Sequence, residues 1–205
     1  MYRNYLEVTL PPWVDHADWN FILNKVVNRL HGVLRSSGFD FGLDFPDITS
    51  EADSPNGLGK KLRIFGKTEE LEQLSQNTGI RDMVDKHMII LSELAQVPDK
   101  AQEYRVSRVR QLGRRALAKK VQKQIAFLRN KGVQKNNLPS FEELKRRFTK
   151  TDSPFLLIER GGKTIPVFFM ISKMVSSENP KKDTPGSLFS TYGLSSCNDG
   201  VVYRF

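Results

Sequence analysis

Apolar and polar positions in the first half of the chain follow patterns that predict strands and helices in turn. Residues 5–10 alternate between the two kinds and end at a Pro-Pro pair, which is typical of a strand closed by a breaker. Apolar residues then recur every three or four positions over residues 21–34, which is the spacing of an amphipathic helix. Strict alternation over residues 39–45 predicts a half-buried strand, and residues 61–65 predict a third strand.

Two further elements complete this half of the chain. Glu69 and Glu70 stand in the first turn of a second predicted helix, where the helix dipole favours acidic residues. Residues 88–91 predict a fourth strand or extended segment. The resulting order, β-α-β-β-α-β, is that of the ferredoxin-like fold, with two helices on one face of an antiparallel sheet. We therefore expect a ferredoxin-like domain over residues 1–98 and a second domain over residues 99–205.

The second half of the chain is less regular and predicts a basic helix beside a small antiparallel sheet. Residues 111–132 have helical periodicity. Ser140 and Glu143 have the spacing of a capping box, which predicts the start of a short helix. Residues 154–159 and 165–171 predict two strands around a turn. The fold class predicted for the whole chain is α+β, with an arginine- and lysine-rich helix in the C-terminal domain.

Composition excludes several classes of protein. The chain has 205 residues and is 39% hydrophobic, which is too apolar for a disordered chain and long enough to bury a core. Its longest apolar run, residues 165–171, is far shorter than the roughly 18 residues of a membrane span. The N-terminus has no apolar segment typical of a secretion signal, and the single cysteine fits a reducing compartment. We expect a cytoplasmic globular protein that does not bind a membrane.

One segment carries the entire excess of positive charge. The chain has 32 Lys+Arg against 23 Asp+Glu, a formal net charge of +9. Residues 105–135 contain eleven basic residues and no acidic one, so this segment contributes +11 and the rest of the chain −2. A solvated helix face would mix Glu with Lys, and therefore the segment favours a polyanionic partner, nucleic acid in particular. It lacks the bulky apolar face of membrane-surface helices.

Motifs for nucleotide or metal chemistry fail on their spacing. Gly162-Lys163-Thr164 resembles the end of a P-loop, but Leu157 stands where that motif requires glycine. Asp40 and Asp44 fall on the outward face of the predicted strand over residues 39–45, which does not favour a magnesium site. The three histidines lack metal-ligand spacing and there is one thiol, so we expect no metal and no cofactor.

His31 stands late in the first predicted helix. A single helical histidine is more often an ordinary surface or partly buried side chain than a functional one. Imidazole is nevertheless the usual general base near neutral pH, and a ribose 2′-OH needs such a base to attack its own phosphate. If RNA lies beside it, His31 is therefore suited to metal-free RNA cleavage.

A set of short motifs occurs in order along nearly the whole chain. It includes Leu30-His31, Gly42–Asp47, Ser107-Arg108-Val109 and Thr191–Ser195. In this order the chain resembles the CRISPR RNA-processing endoribonucleases of type I-F systems. The resemblance implies metal-independent cleavage of CRISPR precursor RNA at the 3′ base of the repeat stem-loop, in which the 2′-OH attacks the phosphate to give a 2′,3′-cyclic phosphate and a 5′-OH. It also implies that the hairpin stays bound, with other subunits, in an RNA-guided surveillance complex.

The resemblance also implies roles for individual residues. His31 matches the family's catalytic histidine, and Tyr192 matches the tyrosine that helps to orient it. Arg108 matches an arginine that reads a guanine in the major groove of the stem. Arg110 stands where the family commonly has glutamine, so it suits either a guanine or a phosphate. The other implied RNA-binding residues belong to the same basic segment: Arg105, Ser107, Arg114, Arg115, Lys119, Lys120 and Lys123.

One departure from the family concerns its active-site serine. The corresponding stretch, Leu157–Arg160, contains no hydroxyl group. Ser153, Thr164 or Arg160 could take the place of the serine, and the sequence does not choose among them. Two alternatives therefore stay open: a hairpin-binding subunit of the same complex with weak or no catalysis, and a basic DNA-binding regulator.

Overall fold

The structure, a computed structural model, describes most of the chain: residues 2–48, 58–109, 114–134, 138–148, 154–160, 162–173, 187–196 and 200–205. These residues form an α+β fold with two antiparallel sheets, and the predicted fold class is confirmed at this level. The chain divides into two compact units, one of Met1–Arg108 with Pro154–Phe205 and the other of Val109–Ser153. This division differs from the predicted domains, residues 1–98 and 99–205, because the C-terminal residues belong to the same unit as the N-terminal ones.

The first sheet lies in the larger unit. Its spatial order is β2-β3-β1-β4, and β5 also pairs with β1. Leu6 lies opposite Ile64 in the antiparallel pairing of β1 and β3, and Leu43 lies opposite the same Ile64 from β2, so these apolar side chains meet in one core. The bounds of the strands are β1 Asn4–Thr9, β2 Gly42–Asp44, β3 Lys61–Gly66, β4 Ile90–Leu91 and β5 Ala95–Gln96.

Three helices accompany this sheet: α1 (His16–Ser37), α2 (Thr68–Ser75) and α3 (Thr78–Asp85). The helix α1 buries one apolar stripe, and each fully buried Leu or Val side chain there is worth about 1.5–3 kcal/mol. The stripe consists of Ile22, Leu23, Val26, Val27, Leu30 and Leu34. The single second helix of the sequence prediction is instead two, because the Asn77 side chain accepts a hydrogen bond from Gly79 N at 3.0 Å and starts α3 anew.

The predicted strand over residues 39–45 is only partly correct. The strand β2 has three residues, all buried, so Asp44 does not face outward. Its carboxylate is completely buried and accepts hydrogen bonds from Arg204 Nη2 at 2.8 Å and Arg204 Nε at 3.0 Å. Burial raises the pKa of Asp44 above its usual value, and the Arg204 guanidinium opposes this shift. The pair joins the first sheet to the last strand of the chain.

The second sheet contains β6 (Gln102–Val109), β7 (Phe155–Arg160), β8 (Lys163–Lys173) and β9 (Val202–Arg204), in the order β7-β8-β6-β9. The predicted hairpin is confirmed, because β7 and β8 pair antiparallel with Ile158 opposite Ile165. The strand β6 was not predicted from the sequence. Only Val106 is fully buried in that strand, so the strand has no apolar alternation to reveal it.

The second unit contains α4 (Arg114–Asn130) and α5 (Phe141–Phe148), which pack on each other. The predicted capping box is confirmed: Ser140 N donates to Glu143 Oε2 at 2.7 Å and Glu143 N donates to Ser140 Oγ at 3.1 Å. On α4, Val121 is buried whereas Lys119, Lys120 and Lys123 are exposed. Among the helices of the described residues, none has both the length and the apolar character to cross a membrane.

Candidate functional site

His31 lies on the edge of the buried stripe of α1, half-exposed, next to buried Leu30. Its Nδ1 is 2.5 Å from the backbone oxygen of Thr191, a residue 160 positions further along the chain. A carbonyl oxygen has no proton to donate, so this contact requires the hydrogen on Nδ1. The neutral imidazole then has its lone pair on Nε2, which is the form of histidine that accepts a proton through Nε2.

Tyr192 lies flat against the same imidazole. The two ring centroids are 4.5 Å apart and the planes differ by 12°, a stacked arrangement. The guanidinium carbon of Arg108 is 5.6 Å from the centroid of the Tyr192 ring, within range of a cation–π interaction. The structure therefore brings together three of the predicted site residues, His31, Tyr192 and Arg108, all from the larger compact unit.

A tight turn presents Thr191 and Tyr192 to the histidine. Ser190 N donates to Leu194 O at 2.8 Å and Gly193 N donates to Ser190 O at 2.7 Å, which closes the turn. Gly193 has φ of 68°, and a Cβ there would collide with the Leu43 side chain, so the turn needs glycine at this position. Gly193 O accepts from Leu43 N at 2.8 Å, which fixes the turn to β2.

A second anchor holds the start of this segment. Both oxygens of Asp40 accept hydrogen bonds from the segment: Leu188 N and Phe189 N donate at 2.8 and 2.9 Å, and Ser187 Oγ donates at 2.5 Å. The Tyr2 hydroxyl also donates to Asp40 at 3.0 Å. Sequence reasoning placed Asp40 on an outward strand face and missed this role, because the partners are nearly 150 residues away.

The strand β6 is joined to the other end of the turn. Ser195 N donates to Val106 O at 2.8 Å, and Val106 N donates to Ser195 Oγ at 3.2 Å. Ser107 and Ser195 form a parallel bridge between the two segments. The strand that carries Arg105, Ser107 and Arg108 is thereby placed in register with the turn that carries Tyr192. Of these, Arg105 and Ser107 are half-buried and Arg108 is exposed.

Two asparagines of α1, absent from the sequence predictions, hold the strand β7. Leu157 N donates to Asn24 Oδ1 at 2.9 Å, Glu159 N donates to Asn28 Oδ1 at 3.0 Å, and Asn28 Nδ2 donates to Leu157 O at 3.1 Å. The amide side chains, one helical turn apart, thus pair with the free edge of β7 as a neighbouring strand would. The sequence did contain a signal for this contact, because Asn24 and Asn28 stand four residues apart beside the apolar stripe of the predicted helix.

An open cleft of about 490 Å³ lies next to His31. Its walls are α1 and β7, and it is lined by Asn28, His31, Gly32, Arg35, Ser36 and Glu159. Of the three candidates for the missing serine, Thr164 is exposed on β8 opposite Glu159. Arg160 is the last residue of β7, and Ser153 lies outside the described residues. Among the described residues of β7, Glu159 is therefore the one that lines the cleft.

The remaining predicted site residues lie in the basic segment. Lys119, Lys120 and Lys123 are exposed on α4 of the smaller unit, and Arg114 and Arg115 stand in the first turn of the same helix. Arg110 lies outside the described residues. Within the part of the chain that the structure describes, no three His, Cys, Asp or Glu side chains group as metal ligands.

Comparison with models of known protein families shows which family the chain matches. The family model described as CRISPR-associated protein (Cas_Csy4) matches residues 5–201, nearly the whole chain. The matched range includes His31, Tyr192 and Arg108. A comparison with curated proteins gave no match.

Proposed function

Because the chain belongs to the CRISPR-associated Cas_Csy4 family, whose members process CRISPR repeat RNA as endoribonucleases in antiviral defence, we propose that it is a metal-independent endoribonuclease. In this proposal it cuts CRISPR precursor RNA at the 3′ base of the repeat stem-loop. The observation that carries the proposal is the imidazole of His31, oriented by the Thr191 carbonyl and stacked on Tyr192 beside an open cleft. The strand order β2-β3-β1-β4 with its connecting helices supports a ferredoxin-like N-terminal part.

The proposed reaction begins with removal of a proton. His31 Nε2 accepts the proton of the 2′-OH upstream of the scissile phosphate, and the 2′-oxygen attacks phosphorus. The bond between phosphorus and the 5′-oxygen breaks, and that oxygen takes up a proton, which leaves a 2′,3′-cyclic phosphate and a 5′-OH. Tyr192 contributes by fixing the plane of the imidazole, and the Thr191 carbonyl contributes by fixing its tautomer.

Hairpin recognition is assigned to the basic segment. Arg108 follows the buried part of β6 and lies near the Tyr192 ring, so a base that it reads would lie close to the cleavage site. Arg105 and Ser107 precede it on the same strand. The exposed lysines of α4, with Arg110, Arg114 and Arg115, supply positive charge for the phosphates of the stem. After cleavage, we propose that the protein keeps the hairpin within a cytoplasmic type I-F surveillance complex with its other subunits.

Cleavage in the presence of a chelator tests this function. The purified protein, mixed with its cognate repeat hairpin in excess EDTA, should convert the RNA to one shorter product that ends in a cyclic phosphate. The alternative of a non-catalytic hairpin-binding subunit, motivated by the lack of a hydroxyl in Leu157–Arg160, predicts binding without a product. Cleavage that appears only when a divalent metal is added would contradict the proposed mechanism.

Arg108→Ala should weaken binding of the cognate stem by about 1–3 kcal/mol and relax the preference at one base pair, because a guanidinium pairs with both acceptors of guanine. Competition titrations with stems in which each base pair is exchanged in turn measure this effect. Lys123→Ala is the matched control: it removes an exposed charge on α4 and should weaken all stems alike. Equal losses on every stem for Arg108→Ala would argue against base reading.

A further inference from the structure

The cleft beside His31 is lined by one continuous face of α1. The residues that contribute are Asn28, His31, Gly32, Arg35 and Ser36, which stand at i, i+3, i+4, i+7 and i+8. This spacing places them on one side of the helix. The face begins at the asparagine that holds β7 and continues past the histidine for one further turn. Every non-glycine member of this face is polar.

Arg35 is the cation of this face. It is four residues after His31, and side chains at that spacing are neighbours on a helix surface, with Cβ atoms about 5–6 Å apart. Arg35 is exposed, and among the described residues its guanidinium has no ion pair or hydrogen bond with another side chain. A guanidinium in an open cleft that forms no ion pair with the Glu159 carboxylate on the opposite wall is suited to bind an anion, and its paired N–H groups match phosphate oxygens.

Space for such an anion exists between the two side chains. Gly32 lies between them on the cleft face, and apart from its two chain neighbours and the backbone of its own helix, no atom of the described residues is within 4 Å of the position that a Cβ would take there. The opposite wall carries Glu159, whose carboxylate repels a phosphate. Repulsion from that wall and attraction to Arg35 both favour a phosphate on the helix side of the cleft, next to His31.

On the premise of the proposed endoribonuclease, we infer that Arg35 is a catalytic residue that binds the non-bridging oxygens of the scissile phosphate. In the reaction the bond from the 2′-oxygen to phosphorus forms while the bond to the 5′-oxygen breaks. Negative charge develops on the non-bridging oxygens as the 2′-OH proton passes to His31 Nε2. A guanidinium held one helical turn from that imidazole stabilises this charge where it develops.

Single-turnover cleavage of the cognate hairpin in EDTA tests the inference. Arg35→Ala should slow cleavage by about 100- to 1,000-fold, the usual effect of removing a group that stabilises transition-state charge. Arg35→Lys keeps the charge without the paired donors and should recover part of the rate. Arg29→Ala is the matched control, because Arg29 is exposed on the same helix but does not line the cleft. We expect its rate to stay within about threefold of the wild type, as is usual for a surface substitution.

A second readout separates contact with the phosphate from a structural role. When sulfur replaces one non-bridging oxygen at the scissile phosphate, cleavage by the wild-type protein should be slower for one diastereomer of the RNA than for the other. Cleavage by Arg35→Ala should not show this difference. The role of Arg35 is overturned if the Arg35→Ala rate equals the Arg29→Ala rate, or if the difference between diastereomers persists. Absence of any product from the wild-type protein would overturn the proposed function itself.

Discussion

His31→Ala should lower the single-turnover rate of repeat cleavage by at least about 100-fold while leaving hairpin affinity nearly unchanged. General-base groups typically contribute about 10²- to 10⁴-fold to a rate. The imidazole is half-exposed and lies on an open cleft, so its removal leaves the core of α1 and the basic segment in place. Gel-based cleavage with enzyme in excess gives the rate, and titration of a hairpin with a 2′-deoxy group at the cleavage site gives the affinity.

His87→Asn provides a matched control for this experiment. It removes another exposed imidazole, at a position with φ of 54° where asparagine is tolerated. We expect its cleavage rate to equal that of the wild type. Free imidazole should restore part of the activity of His31→Ala, because the cavity left by the side chain opens into the cleft. A His31→Ala variant that cleaves at the wild-type rate would remove the histidine from the mechanism.

Arg204→Met should destabilise the protein by about 3–5 kcal/mol, because it leaves the completely buried carboxylate of Asp44 without its partner. Urea unfolding of the variant and the wild type measures this difference. This loss of stability should become smaller as the pH falls. A carboxyl whose pKa is raised by burial takes up a proton in the folded protein at a pH where the unfolded chain is still ionised, so lower pH favours the folded state.

Two further variants make this stability prediction specific. The double variant Asp44→Leu with Arg204→Met removes both charges and should regain most of the lost stability. Asp82→Asn breaks the exposed ion pair with Lys86, at 2.8 Å, and should cost less than about 0.5 kcal/mol. If Arg204→Met costs no more than Asp82→Asn, the buried pair does not hold the two segments together.

The sequence predicted those parts of the fold whose burial is local and periodic. The helix α1 and the hairpin β7–β8 follow from apolar spacing, because each buries one face along its own length. The strand β6 could not be predicted in this way, because it has no apolar alternation. Hydrogen bonds to β9 and to the Ser195 segment keep it extended. The division of the second predicted helix at Asn77 likewise depends on a single side-chain cap.

The candidate site was predictable only in part. The family resemblance singled out His31, Tyr192 and Arg108, and the structure places these three side chains together. Their assigned roles stay predictions. The contacts that position them were not accessible from residue types, because they involve the Thr191 backbone oxygen and the Asp40 carboxylate across some 150 residues of chain. Asp44 was misplaced for the same reason: its partner Arg204 is 160 residues away.

The pairing of Asn24 and Asn28 with β7 has a consequence for assembly. An exposed strand edge is a template for association with a strand of another molecule, and β7 is the terminal strand of its sheet. The two amides occupy the polar groups of Leu157 and Glu159 that such a strand would need. The helix that carries His31 therefore also protects the edge of the sheet from edge-to-edge aggregation. Loss of both asparagines should expose an aggregation-prone strand edge directly beside the cleft.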